Sequence, residues 1–119
     1  MKAQMTLGQI RKYALSLSGT TEEPHFDRKS FRVNGKIFIT ARPSESHIHV
    51  FVPEGVREPA IAMHPDFLSK LLWGGKVVGL RVELAKADPA VVRDLVKSAW
   101  QLRTVADKKV ARRSARKMK

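Results

Sequence analysis

The sequence contains no cysteine, which excludes a disulfide framework, a thiolate zinc site and a cysteine nucleophile. Aromatic residues are sparse, with five Phe, two Trp and one Tyr. No apolar run approaches the roughly 18 residues that a membrane-crossing helix needs. The first residues lead into a periodic segment rather than the apolar core of a secretory signal, so a soluble, intracellular, cytoplasmic protein is expected. Acidic residues are also scarce: 11 Asp and Glu face 23 Lys and Arg, for a formal charge of +12. The imbalance is local. Residues 1–107 hold 16 basic and 11 acidic groups, net +5, whereas residues 108–119 hold seven basic and no acidic group, net +7. A chain of 119 residues suits one domain with one core, here residues 1–107, followed by a basic, flexible tail over 108–119.

Thr6-Leu7-Gly8-Gln9 has the form of a capping box, and Leu7, Ile10, Ala14 and Leu17 then recur at helical spacing. Gly19 supplies a residue able to take positive φ beyond that helix. After a polar stretch, Thr20 to Asp27, the period changes to two: Phe31 and Val33 alternate with Ser30 and Arg32, and Asn34-Gly35 follows, the strongest short hairpin signal. The return strand, Lys36 to Arg42, is expected to put Ile37, Ile39 and Ala41 on one side and Lys36, Phe38, Thr40 and Arg42 on the other. A third strand is predicted over His47 to Val52. Between residues 53 and 66, Pro53, Gly55, Pro59 and Pro65 allow only a short helix, with Pro59 tolerable in its first turn. Phe67 to Leu72 and Val77 to Leu84, joined through Gly74-Gly75, predict a second hairpin, with a one-turn helix over 66–72 as the competing reading. Asp88 as N-cap and Pro89 at the first helical position open a last helix whose Val92, Leu95, Val96, Ala99 and Leu102 form an apolar stripe. The order α-β-β-β-α-β-β-α argues an α+β fold, an antiparallel sheet packed by helices.

The basic segment, Lys108, Lys109, Arg112, Arg113, Arg116, Lys117 and Lys119, is expected to attract polyanions with little sequence preference, because phosphate contacts carry no base-reading geometry. Arginines can grip phosphate bidentately and lysines act as point charges. The plainer alternative is a solvated tail that improves solubility. Arg28, Lys29, Arg32, Lys36 and Arg42 crowd the first hairpin, and a basic hairpin could track a nucleic-acid backbone or enter a groove as a wing. The competing reading pairs these charges with Glu22, Glu23, Asp27 or Glu45 on a solvated surface. Phe38 could stack on a base or lie under a helix. His47 and His49, two apart on a strand, project from one face as a metal pair would, but His25, His64 and Asp27 are the only types near enough in sequence to add a third ligand, and no metal site is expected. His25 with Glu22, Glu23 and Asp27 is better read as capping groups than as an acid-base cluster. No Gly-rich phosphate loop, nucleophile elbow or paired-carboxylate spacing is present, so neither an enzyme nor a cofactor is expected.

Taken together, the first-helix pattern, Glu22-Glu23-Pro24-His25-Phe26-Asp27 running into Ser30-Phe31-Arg32-Val33 and Gly35-Lys36-Ile37-Phe38, the hairpin into Val77 to Leu84, and Ala99-Trp100 resemble the MmcQ/YjbR-like family over roughly residues 5–106. The resemblance implies an α+β fold of the kind compared with CyaY/frataxin iron-binding proteins and with secretion chaperones, in a double-wing arrangement associated with DNA binding. Iron binding goes with an acidic surface, and Thr6 to Ser18 contains no Asp or Glu, which argues against that role here. The expected function is electrostatic binding of nucleic acid, DNA first. The alternatives are a protein-binding module, with the tail incidental, and a small-molecule site in a cleft between helix and sheet.

Overall fold

The structure, a computed structural model, describes residues 5–25, 28–41 and 46–117, with side chains described up to residue 104 apart from His25. The elements run α1 (Leu7–Ser16), β1 (Thr20–His25), β2 (Arg28–Val33), β3 (Lys36–Ala41), β4 (His47–Val50), α2 (Glu54–Met63), β5 (Leu68–Trp73), β6 (Lys76–Glu83), a 3-10 turn (Leu84–Lys86) and α3 (Pro89–Lys117). Every strand pairing is antiparallel, and the sheet order is β1-β2-β3-β4-β6-β5. The α+β expectation holds, with one strand more than the sequence suggested. Thr20–His25, expected as a polar connection, is edge strand β1, paired along its whole length with β2. Its sequence, Thr-Thr-Glu-Glu-Pro-His, lacks the apolar alternation of an inner strand because at an edge only β2 and the helix beneath it need be satisfied.

Local chemistry sets the corners. Thr6 Oγ1 accepts from the Gln9 amide at 3.1 Å and Gln9 Oε1 accepts from the Thr6 amide at 3.0 Å, closing the capping box. Both hairpins use turns with two consecutive positive-φ residues, Asn34 (55°) and Gly35 (75°), then Gly74 (57°) and Gly75 (80°), the handedness that matches strand twist. Asp88 Oδ1 accepts from the Ala90 amide at 2.9 Å and starts α3. Pro59 departs from expectation. It sits in the sixth position of the ten-residue α2, not in its first turn. Both Pro59 and Gly55, whose carbonyl loses the usual i→i−4 bond, are exposed, so water can satisfy that carbonyl.

Register and period two sort the sheet into faces. The inner face carries Phe31, Ile39, Ala41, Ile48, Val50, Leu80, Val82 and Leu68, which join Ile10 and Ala14 of α1 and Val92, Leu95, Val96 and Ala99 of α3 in one core cluster. The outer face carries two cross-strand rows. One is Glu23, Ser30, Thr40, His49, Arg81 and Ser69; the other pairs Thr21, Arg32 and Ile37 at one end and Gly79 with Leu71 at the other, with Phe51 next to Gly79 between them. A bulge between these rows corrects the expected placement of Phe38. The register of β2 against β3 slips after Phe31, so that Arg32 faces Ile37 and Phe38 is the extra residue. Phe38 and Ile39 are therefore both fully buried, so strict alternation from Lys36 misplaces the ring, and of its two readings the covered one is realised rather than the base-stacking one.

Gly79 marks a close approach. A Cβ there would stand 2.7 Å from the Val50 carbonyl oxygen and 3.2 Å from the Phe51 ring. Gly79→Ala is expected to cost about 1–3 kcal/mol, because the nearest obstacle is backbone that cannot swing away. A thermal melt should show it as a fall of several degrees, while Gly55→Ala, with open space around it, should be neutral or slightly stabilising. An unchanged melting temperature for Gly79→Ala would mean that β4 and β6 are not this close.

Candidate nucleic-acid interface

The expected basic hairpin divides when folded. Lys29 projects toward the helix side, where its Nζ lies 3.4 Å from Glu22 Oε2, and Arg11 of α1 reaches Glu22 Oε1 at 2.6 Å. Here the ion-pairing alternative is realised, and Lys29 is spent on joining β2 to β1 and α1. Partial burial alone would raise the Glu22 carboxyl, but hydrogen bonds and charge from Arg11 and Lys29 outweigh it and hold its pKa below the ordinary 4.5. A depressed carboxylate contributes stability that is complete above the unfolded-state value and lost as pH falls through the folded value. Glu22→Gln should therefore lower the urea midpoint at pH 7 and leave it closer to the parent at pH 3. An equal loss at both values would sever the pair from stability. The similar trio Glu54, Arg57 and Glu58, with Arg57 Nε 2.7 Å from Glu58 Oε2 and Lys70 also on Glu58, anchors α2 beside β5.

Arg32 goes the other way. On the outer face its Nε donates to Ser30 Oγ at 3.0 Å, and Ser30 Oγ itself donates to the Glu23 carbonyl at 2.8 Å. Arg103, from α3, donates its Nε to the Ile37 carbonyl at 3.1 Å across 66 residues of sequence. The two side chains line one open groove of about 440 Å³ with Gly35, Lys36, Ile37, Thr40 and Phe51. Both arginines are half-buried, each is steered by a neutral acceptor, and neither forms an ion pair among the described residues. Guanidiniums held this way keep the rest of their donor fork for an incoming anion. Beside the groove, Thr40 Oγ1 lies 3.3 Å from His49 Nδ1, and Arg81 Nη2 lies 3.4 Å from His47 Nδ1.

Of the other residues singled out from the sequence, Arg28 opens β2 half-buried, and Arg42 and Lys119 lie outside the described residues. Lys108, Lys109, Arg112, Arg113, Arg116 and Lys117 fall on the continuation of α3, whose side chains beyond residue 104 are likewise outside the description. Their spacing is helical in register: positions 108, 112 and 116 form one i, i+4 row and 109, 113 and 117 the adjacent one. The His47 and His49 rings lie tilted against each other with centroids 5.2 Å apart, and among the described residues no three His, Asp or Glu side chains gather as a metal site. Glu22 and Glu23 diverge to opposite faces, Glu23 accepting from Thr21 Oγ1 at 2.9 Å, so they form no common cluster; Asp27 and the His25 side chain are outside the description.

Arg103 and Phe51 went unnoticed in the sequence. Phe51 was legible, because Ile48, Val50 and Val52 on one face place the residues between them on the other. Arg103 was not, since only the tertiary fold brings α3 to Ile37.

An antiparallel sheet with its helices gathered on the inner face, and a charged groove at one hairpin, defines a small α+β module. A family model described as YjbR matches residues 15–102, and the chain belongs to the YjbR family. Its fold is similar to that of protein DR2400 of Deinococcus radiodurans, which carries a DUF419 domain, with a TM-score of 0.72 and 16% identity over 84% of this chain and 78% of that one. No curated protein matches the sequence significantly. Among the described residues no helix is long and apolar enough to cross a membrane.

Proposed function

We propose that this YjbR-family protein is a non-enzymatic binder of nucleic acid that acts mainly through phosphate contacts. The observation that carries the reading is the convergence of Arg32 and Arg103, free of ion pairs among the described residues, on one groove, with Arg103 on the same helix that runs on through the basic segment to Lys117. At 1.5 Å per residue, that helix places the basic positions within about 20 Å of the groove, a span of several phosphates along a nucleic-acid backbone. The groove orients and the segment supplies affinity. Four to six neutralised phosphates on duplex DNA correspond to a slope of roughly −4 to −5 in log K against log salt. Titrating a random duplex with the full chain across a salt series tests this; no binding near 50 mM salt, where exposed charges are weakly screened, would refute it.

A second reading, a protein-binding module, is favoured by one feature. Leu72 (61% exposed) and Trp73 (78% exposed) stand at the end of edge strand β5, where another chain could add.

A further inference from the structure

The geometry points to a single strand, rather than a duplex, as the nucleic acid that occupies the Arg32–Arg103 groove, with one base stacked on Phe51; we infer this on the nucleic-acid reading above and it refines that reading.

Phe51 follows β4 on the outer face, with its amide donating to the Phe38 carbonyl at 3.1 Å. Its ring lies against Gly79, which has no side chain, and a Cβ there would touch the ring at 3.2 Å. The missing side chain is thus what lets the ring lie along the sheet instead of standing off it. Phe51 is only partly buried while its neighbours Val50 and Val52 are buried, and it lines the groove. An aromatic ring lying on a sheet face offers a base a stacking surface that any base can use, and a duplex, whose bases are already stacked and paired, cannot use it.

The charges lie where a strand stacked there would need them. Arg32 of β2 and Phe51 after β4 line the same groove with β3 between them, and Arg103 closes it at the hairpin end. A base on Phe51 would leave its flanking phosphates near these two guanidiniums, whose Nε atoms are held by Ser30 and Ile37 and which both line the groove. Thr40 adds a hydroxyl to the lining. The groove volume of about 440 Å³ is in the range of small-ligand pockets, suited to one nucleotide unit rather than to a duplex edge.

The test uses the full chain and an oligo(dT) strand of about 12 nucleotides, within the usual span of single-strand sites, beside a duplex of equal length at one salt concentration. The strand should bind more tightly than the duplex. Phe51→Leu, which keeps an apolar side chain, should weaken strand binding about 5- to 100-fold and leave duplex binding unchanged, with an intact thermal melt as the control for folding. Arg32→Gln and Arg103→Gln should each reduce the salt slope for the strand by about 0.7. If the strand and duplex bind equally and Phe51→Leu changes neither, the stacking assignment is overturned while the electrostatic reading stands. If neither ligand binds, both fall. If thymidine monophosphate displaces the strand at similar concentration, the groove belongs to a free nucleotide and the strand assignment is overturned.

Discussion

Phe38→Ala is expected to destabilise the protein by about 3–5 kcal/mol, a large share of the roughly 5–15 kcal/mol that holds a domain of this size together. The ring is fully buried in the core cluster, and its truncation would remove both the transfer free energy of an aromatic side chain and the contacts around the hole it leaves. The bulge makes the cost steeper. Phe38 and Ile39 are consecutive and both buried, so the inner face cannot compensate by a register slip without turning Ile39 outward. Urea denaturation should show a much lower midpoint. An unfolding free energy within about 1 kcal/mol of the parent's, together with weaker nucleic-acid binding, would instead put the ring on the outer face, as strict strand alternation from Lys36 would have it.

Ending the chain at Asp107 is expected to reduce affinity for a random duplex by about 100-fold or more at low salt, and to flatten the salt dependence toward a slope of about −2, the value for two phosphate contacts left on the globule. The parent should lose about 10²–10³ in affinity between 50 and 200 mM salt and the shortened chain only about tenfold. Stability should be almost unaffected: among the described residues the last of α3 packed against the core is Trp100, whose indole N–H donates to the Ser18 carbonyl at 2.9 Å, and the shortened chain keeps it. Affinity and salt slope that survive the truncation would mean that the globule alone carries the binding, and an absence of binding before truncation would leave the exposed Leu72 and Trp73 edge as the better guide to function.

Much of this was legible in the chain because it depends on neighbours in sequence. The Thr6 capping box, the Asp88 cap, the Asn34-Gly35 and Gly74-Gly75 turns and the apolar stripe of α3 are decided within a few residues by backbone sterics and hydrogen bonding, and each is where its local signature put it. The family was legible for a related reason, since a string of such local patterns in fixed order matches over residues 15–102. Edge strand β1 escaped notice because its polarity is that of a loop and its pairing partner is what makes it a strand.

The basic groove shows the boundary most clearly. By itself the sequence determined the surplus of positive charge, its concentration in the last twelve residues and the hairpin that carries Arg32 and Lys36. Only the tertiary structure decided that Lys29 would turn to Glu22, that the bulge would draw Phe38 inward, and that Arg103 would arrive beside Arg32 from the far end of the chain. Short-range geometry places a side chain on its own helix or strand; which charges meet an acid and which remain available is settled by packing between elements distant in sequence.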